Sequence, residues 1–403
     1  MGYNNGRDLA LQADGKILYA GSCVDFNGKL SFALLRFNSN GSLDNSFSGD
    51  GKLITPFNDF SYADYGVAIA VQPDGKIIEV GLALDNSANQ GFGIVRFNTD
   101  GSLDNTFGNG GKLVIPIGNA YPEATAVIVQ PDLKILVGGY SWGPGEAPSS
   151  FALMRLNSDG TLDNSFGAGG KDTAYFGGAG SSGEGDLYEN STGESIALQT
   201  DGKIVMTGFQ ILGYNTWASL PLVRYNADGS YDNTFGNGGK VVIANDSFGY
   251  GVEHVALQQD GKILVCGHNG YGKGGYMLVR FNPDGKLDSL FGDNGEISMT
   301  IDEVNSFAES IALQQDGKIL LAGGKGFIVA RFLSGLNVGI LNIKVSDAPI
   351  LIYPNPIKSF ATLEYILTEN ENLTITLIDL QGRQVHTFIT NHNRTAGVHK
   401  EEL

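Results

Sequence analysis

The sequence predicts an all-β fold, a β-propeller of about six four-stranded blades, with seven blades as the alternative count. Two observations predict it. One unit of about 60 residues recurs along most of the 403-residue chain, and 58 glycines are combined with 10% aromatic residues. Disordered glycine-rich chains lack such aromatic content, whereas short strands joined by many tight turns require both residue types.

Two sequence blocks define the repeat. The first block is a short apolar run ending in Gln, followed by a turn that ends in lysine. The second block has the pattern R-[FLY]-N-x-[DN]-G-x-[LY]-D-x-x-F, and Arg331 begins a further copy that then diverges. The lysines are Lys16, Lys76, Lys134, Lys203, Lys262 and Lys318, and the arginines are Arg36, Arg96, Arg155, Arg224 and Arg280.

Each copy predicts four strands separated by turns. In the second copy the turn is Pro73-Asp74-Gly75, where Gly tolerates positive φ and Asp favours an Asx-turn. Strands such as residues 262–267 are apolar on both faces, as expected for blades that pack between two neighbours. Residues 338–345 could supply a twenty-fourth strand and close a six-bladed ring, and an open solenoid of repeats is the alternative.

These blocks resemble the delta-60 repeat family of bacterial β-propeller-like proteins. The matching residues are A-L-Q-x-D-G-K-I-L-x-x-G, as in residues 256–267, and R-F-N-x-D-G-x-L-D-x-x-F-G, as in residues 96–108. The resemblance covers residues 5 to about 335. It implies the fold and an exported location, and no defined activity.

The pattern changes after the repeats, so we divide the chain into residues 1–345 and 346–403. In the second part, residues 353–356 (Tyr-Pro-Asn-Pro), 380–383 and 395–399 resemble the type IX secretion system sorting domain. That family implies a partial Ig-like β-sandwich, contact with the export machinery, and a location outside a Gram-negative cell or on its outer surface. We expect the sequence to be truncated at both ends, because no signal peptide precedes the repeats and the C-terminal pattern stops at Leu403.

Charge and hydropathy narrow the classes of partner. The net charge is −17 with a pI of about 4.6, and the basic stripe typical of nucleic-acid binders is absent. No run of 18 apolar residues occurs, so no transmembrane segment is predicted. Cys23 and Cys266 occupy different places in their repeats and are expected to remain unpaired.

The residues that recur in every copy are interpreted as structural, because an active site needs a unique constellation whereas a fold needs the same residue in each blade. We expect each repeat arginine to meet the aspartate eight residues later, or a nearby turn carbonyl, and so to fix the turn. The aspartates are Asp44, Asp104, Asp163, Asp232 and Asp288.

No cofactor is predicted, although one pattern raises the question of calcium. Asn98, Asp100 and Asp104 offer oxygen ligands at Ca²⁺-like spacing, but the terminal bidentate Glu of an EF-hand loop is missing. An Asx-type turn is the favoured interpretation of these residues.

Non-repeated residues are the candidates for ligand binding. Trp142 and Trp217 are the only tryptophans and fall in the same loop of successive copies. Exposed aromatic rings on adjacent loops could stack on sugar rings, while the plainer alternative is that each ring covers an apolar blade edge. The candidate binding residues are Trp142, Trp217, Tyr214, Tyr271 and His268.

These features predict a non-catalytic binding or scaffold protein whose ligand is a polysaccharide or a surface protein. G-x-S-x-G, H-E-x-x-H and P-loop motifs are absent. The alternative is a glycosidase or lyase that uses carboxylates of non-repeated loops, since glycoside hydrolysis needs two carboxyl groups close together. The carboxylates considered for this role are Glu146, Glu184, Asp186 and Glu189.

Overall fold

The fold is all-β, and the description rests on a computed structural model. The described residues are 5–25, 28–57, 64–118, 120–142, 148–176, 189–212, 217–243, 250–269, 275–299, 307–324, 328–332, 351–353, 362–367, 370–378 and 384–402. Within them no helix is long and apolar enough to cross a membrane.

The first three blades are four-stranded antiparallel sheets whose strands follow chain order. Blade 1 contains β1 (Asn5–Leu11), β2 (Ile17–Val24), β3 (Leu30–Phe37) and β4 (Lys52–Thr55). Blade 2 contains β5 (Tyr65–Val71), β6 (Ile77–Leu84), β7 (Gln90–Phe97) and β8 (Lys112–Ile115). Blade 3 contains β9 (Ala120–Val129), β10 (Ile135–Trp142), β11 (Ser150–Leu156) and β12 (Lys171–Ala174).

The last three blades repeat this topology. Blade 4 contains β13 (Glu189–Leu198), β14 (Ile204–Leu212), β15 (Trp217–Tyr225) and β16 (Lys240–Ile243). Blade 5 contains β17 (Tyr250–Leu257), β18 (Ile263–Asn269), β19 (Gly275–Phe281) and β20 (Glu296–Met299). Blade 6 contains β21 (Ser310–Leu313), β22 (Ile319–Gly323) and β23 (Ile328–Phe332). The six-bladed β-propeller is therefore confirmed, and the expected last strand at residues 338–345 lies outside the described residues.

The C-terminal part is also built of strands, in two small sheets. The first sheet has the order β24-β25-β28 and the second pairs β26 with β27. These strands are β24 (Leu351–Tyr353), β25 (Thr362–Leu367), β26 (Glu371–Ile378), β27 (Gln384–Arg394) and β28 (Gly397–Glu402).

The core of the propeller lies between blades. Five clusters of buried apolar side chains each join one blade to the next, from blades 1 and 2 through to blades 5 and 6. Each blade is only one sheet thick, so its two apolar faces can be removed from water only by the neighbouring blades. This explains why the strands of the repeat are apolar on both sides.

A repeated side-chain clasp joins the blades at one rim of the propeller. Within blades 1–5, Nε of each repeat arginine donates to Oδ2 of the aspartate eight residues later at 2.7–2.8 Å. The guanidinium also lies 4.1–4.5 Å from the ring centroid of a phenylalanine eleven residues after it. We call these three residues the clasp; its phenylalanines are Phe47, Phe107, Phe166, Phe235 and Phe291.

The clasps of blades 1–4 each bind a turn of the next blade, which we call the receiving turn. Arg36 Nη1 donates to the carbonyl of Thr99 in blade 2 at 2.5 Å, and Arg155 Nη1 donates to Ala227 in blade 4 at 2.5 Å. The Phe47 ring packs on Gly101 of the same receiving turn, where a Cβ atom would come within 3.0 Å of it. The clasp therefore orders its own turn and fastens the neighbouring blade in one step.

The clasp aspartates are ionised over a wide pH range and are shared by two cations. Lys134 Nζ lies 2.9 Å from Asp163 Oδ2, which also accepts from Arg155. Burial by itself would raise the pKa of Asp163, but hydrogen bonds from Ser165 and Lys134 outweigh it and hold the pKa well below its usual range. These carboxylates and their turn neighbours are thus already engaged, and the described residues contain no group of three or more His, Cys, Asp or Glu arranged to hold a metal ion.

Removing one clasp carboxylate should weaken the fold strongly. Asp163→Asn leaves the buried Arg155 guanidinium without its counter-charge, and we expect a loss of about 3 kcal/mol in the free energy of unfolding. Denaturant unfolding of the full chain measures it. The control is Asp159→Asn in the same repeat, an exposed turn residue whose loss of charge should cost below about 1 kcal/mol. Equal effects of the two substitutions would contradict the role of the clasp.

One carboxylic acid lies inside the ring, between blades 1 and 2. Glu79 is fully buried at a register position that holds Val137, Met206 and Val265 in later blades. Burial raises its pKa well above the usual value, and the backbone groups of Gly21 and Ala33 offset this only in part. Burial therefore favours the protonated form of Glu79.

The stability of the protein should depend on pH through Glu79. Because the folded pKa is raised above the unfolded one, Glu79 contributes stability that is present below about pH 4.5 and is lost as the pH rises toward the folded pKa. We expect Glu79→Gln, which mimics the protonated acid, to reduce the fall in unfolding free energy between about pH 5 and pH 9. Urea unfolding across this range tests it, and an unchanged slope would show that Glu79 does not titrate in this way.

Candidate functional site

The first strands of the blades are arranged around the centre of the ring. β1, β5, β9, β13, β17 and β21 contact one another in that order. Antiparallel topology places the starts of these strands at the rim that also carries the loops between second and third strands. The clasps occupy the opposite rim, so the variable loops and the starts of the first strands share one face of the molecule.

A β-bulge interrupts each first strand of blades 1–5 at the same place, five residues before the repeat Gln. In blade 1 the pairing register shifts between Gly6 and Asp8, and in blade 4 between Gly193 and Ser195. A bulge leaves one residue out of the ladder and re-aims its side chain, and bulges are frequent beside functional sites. The bulged residues are Arg7, Val67, Thr125, Glu194 and Glu253.

Thus a repeated backbone feature carries side chains that differ between blades, with glutamate in two of the five. The bulged residues of distant blades act on one another, since the charge of Arg7 lowers the pKa of both Glu194 and Glu253. Glu309 of blade 6, also five residues before its Gln, acts on Glu253. We call this set, together with Glu123, Tyr65 and His268, the channel mouth.

Glu194 is the most perturbed carboxyl group of the channel mouth. Burial, followed by the negative charges of Glu253 and Glu123, raises the pKa of Glu194 to about 8. Burial, followed by the charge of Glu309, also raises the pKa of Glu253. At neutral pH the channel mouth therefore holds a protonated carboxylic acid beside carboxylates, with Arg7 as a cation among them.

Glu123 is fixed by two phenols. Tyr65 and Tyr140 both donate to Glu123 Oε2, at 2.6 and 2.5 Å. Tyr65 belongs to blade 2 and Tyr140 to blade 3, so the carboxylate connects neighbouring blades. Burial, and next the charge of Glu123, raises the pKa of both phenols, which keeps them protonated as donors.

His268 adds an imidazole to the channel mouth. Its Nδ1 lies 3.8 Å from Glu253 Oε1, and its ring lies 4.4 Å from that of Phe307. Burial lowers the pKa of His268, so the ring is mainly neutral at pH 7. A side chain at Gly251 would collide with this ring, since a Cβ there would lie 1.8 Å from it.

The structure places the other predicted binding residues as follows. Trp142 ends β10, is 38% exposed, and meets Tyr140 edge-to-face with 6.5 Å between ring centroids. Trp217 begins β15 opposite Leu212, and its side chain lies outside the described residues. Tyr214 and Tyr271 also lie outside them. Among the predicted residues whose side chains are described, His268 and, through Tyr140, Trp142 are thus connected to the channel mouth.

The carboxylates considered for catalysis lie outside the part of the chain that the structure describes, and other carboxyl groups are grouped within it. Glu146, Glu184 and Asp186 lie outside the described residues, as does the side chain of Glu189. The grouped carboxyls are Glu123, Glu194, Glu253 and Glu309. Counting back five residues from each repeat Gln would have found three of them, because a charge at an otherwise variable bulge position is a sequence signal.

Removing one charge of the channel mouth should change the titration of another. We expect Glu253→Gln to lower the pKa of Glu194 from about 8, because it removes the largest source of charge repulsion. Carbon-13 NMR of the carboxyl groups measures this shift. Asp260→Asn removes the same charge from the opposite rim of blade 5 and should leave Glu194 unchanged. An unaltered Glu194 titration in Glu253→Gln would contradict the proposed coupling.

Family models match both parts of the chain. The description "Domain of unknown function (DUF5122) beta-propeller" matches residues 12–47, 72–107, 130–166, 199–235 and 258–291. The "Secretion system C-terminal sorting domain" matches residues 351–401. The resemblance found in the sequence is confirmed in both parts.

Solved structures show similar folds at low identity. A protein of unknown function from Dyadobacter fermentans is 12% identical, with a TM-score of 0.46 over 82% of this chain and 94% of that one. A polysaccharide lyase, PL25 ulvan lyase, is 10% identical, with a TM-score of 0.46 over 90% and 91%. An endo-arabinase from Bacteroides thetaiotaomicron is 11% identical, with a TM-score of 0.38 over 75% and 95%. No curated protein matches the chain.

The sorting domain assigns the location of the protein. It directs export by the type IX secretion system of Bacteroidetes, to the cell surface or beyond. The sequence repeats correspond to the blades of the structure, and the two family matches cover the repeats and the C-terminal strands. The chain belongs to the exported proteins that combine DUF5122 β-propeller repeats with a secretion system C-terminal sorting domain.

Proposed function

We propose that this exported propeller is a non-catalytic binding protein that holds its ligand at the channel mouth. One observation carries the proposal: the bulge is built alike in five blades, yet its side chain varies, and four of the blades carry the polar residues Arg7, Thr125, Glu194 and Glu253. The clasp rim, by contrast, repeats the same residues in each blade. The fold requires the same residues in every blade. Residues that differ between blades, at a position with the same backbone geometry, therefore favour a role in ligand recognition.

The chemistry of the channel mouth favours a ligand rich in hydrogen-bond donors. Glu123, Glu253 and Glu309 offer carboxylate acceptors, while Arg7 is the cation among the bulged residues. A neutral or amine-bearing glycan supplies hydroxyl or ammonium donors to such acceptors. Uronic or sulfated glycans would instead meet repulsion from these carboxylates.

Trp142 offers a stacking surface next to these acceptors. Its ring is 38% exposed and contacts Tyr140, whose hydroxyl donates to Glu123. Sugar rings combine an apolar face with polar edges, so an exposed indole beside a fixed carboxylate suits them. This supports a glycan over an extended protein partner.

A glycan array probed with the full chain, with and without Ca²⁺, tests the proposal. We expect binding to neutral or amino-sugar glycans and not to acidic ones. Glu253→Gln should weaken it at least about tenfold, since a hydrogen bond to a charged group contributes about 1.5–3 kcal/mol. Asp260→Asn, on the opposite rim, should bind as the unaltered protein does. Binding that survives Glu253→Gln and Glu194→Gln but is lost in Trp142→Ala would move the site to the loops.

A second candidate function follows from Glu194. A protonated carboxylic acid beside a carboxylate is the pairing that glycosidases use as general acid and base or nucleophile. We rank it below binding because the charged groups come from blades around the ring rather than flanking one bond. Reducing sugar released from an array glycan, and abolished by Glu194→Gln, would establish catalysis and overturn the non-catalytic proposal.

A further inference from the structure

One face of every blade after the first packs on the blade before it. Three residues before the repeat Gln, Ile69, Val255 and Ile311 are only 4–6% exposed. Seven residues after the Gln, Val137 and Met206 are fully buried. In each interface between blades, the later blade therefore contributes this same buried face.

Blade 1 presents this face to solvent. Leu9 and Leu11, on β1, are 62% and 72% exposed, and Tyr19 on β2 is 36% exposed. Leu9 corresponds to Ile69, and Tyr19 corresponds to Val137. Blade 1 thus carries the apolar side chains that form one side of a blade interface, but these side chains are exposed.

The receiving turn of blade 1 is also empty. At Gly101, Gly160, Gly229 and Gly285, a Cβ atom would meet the clasp phenylalanine of the preceding blade at 2.9–3.0 Å. At Gly41, the corresponding residue of blade 1, no atom of the described residues lies within 4 Å of that position. Gly41 is exposed, whereas its four counterparts are buried.

We propose that this face of blade 1 binds a further complete blade of the same repeat type that carries a clasp of its own. The apolar contact would cover Leu9, Leu11 and Tyr19. The clasp arginine would donate to the carbonyl of Ser39, as Arg36 donates to Thr99. The amide after the clasp phenylalanine would donate to Asn40, as Ser48 donates to Asp100 at 2.9 Å.

The occupant must bring an intact clasp, and this excludes blade 6. Eight residues after Arg331 the chain has Gly339 in place of the clasp aspartate, and eleven residues after it has Asn342 in place of the phenylalanine. Blade 6 of a second copy lacks these residues in the same way. The continuity with the five existing interfaces therefore selects a separate blade with Arg, Asp and Phe at clasp spacing.

A fused extra blade tests the proposal in the full chain. A copy of residues 250–306 replaces Met1–Asn4 directly before Asn5, which keeps the spacing from the fifth to the sixth blade. We expect amide hydrogen exchange in β1 and at residues 39–41 to slow by about tenfold or more. The matched control carries Asp288→Asn and Phe291→Ala in the added copy only and should give no such protection. Protection by both fusions, or by neither, overturns the proposal.

The unfused chain provides the second arm. If the face is free, Leu9→Asp with Leu11→Asp leaves the melting temperature and the molar mass by light scattering unchanged. Ile69→Asp, at the matched position of blade 2, lowers the melting temperature. A lower melting temperature in the double variant would show that the chain covers this face itself. A dimer abolished by the double variant would show that a second copy does, and either result overturns the proposal.

Discussion

The interaction on which the rest of the structure depends is the clasp between neighbouring blades. A buried arginine is costly unless its charge and its donors are all satisfied. Here Nε is used by the aspartate of the same blade and Nη1 by a carbonyl of the next. One residue therefore joins the local turn to the long-range interface, and neither forms fully without the other.

Because of the clasp, residues at the two rims of the propeller differ in how freely they can be substituted. At the clasp rim, the receiving glycine has positive φ and lies against an aromatic ring, so few residues fit there. The opposite rim is held by strand pairing, by apolar contacts between blades and by individual hydrogen bonds that differ between interfaces, such as those of Tyr65 with Glu123 and of Thr125 with Gly193. Substitutions there change what the molecule presents while the clasps keep the ring assembled. That division is the physical basis for placing recognition at the channel mouth.

The sequence was sufficient for the fold and for half of the clasp. Six copies with both apolar faces require a blade-like stack, and an arginine and aspartate with constant spacing suggested their contact. The carbonyl acceptors in the next blade could not be foreseen, because every residue has a carbonyl and only the three-dimensional register selects one. The exposed face of blade 1 was equally hidden, since Leu9 and Leu11 look like core residues in the alignment of copies.

Apart from His268, the residues of the channel mouth could not be recognised from the sequence, for a related reason. The binding residues predicted from the sequence, Trp142 among them, belong to the variable loops rather than to the first strands. A bulge has no residue signature of its own, because it is a shift of register against the neighbouring strand. Once the shift is known, Glu194 and Glu253 are seen to occupy equivalent positions in successive blades, and the repulsion between their charges becomes evident.

That repulsion shows how stability and recognition are balanced in this molecule. Burial, followed by the charges of neighbouring carboxyl groups, raises the pKa of Glu194 to about 8, so the folded state retains a proton that the unfolded chain would release at neutral pH. The retained proton is a cost that the fold must offset elsewhere. Arg7 offsets part of it from blade 1, and the clasps of the opposite rim contribute stability that does not depend on the channel mouth. A ligand that supplies hydrogen-bond donors to these carboxylates would relieve the same strain, which is why an acidic ring in an otherwise repetitive fold favours binding.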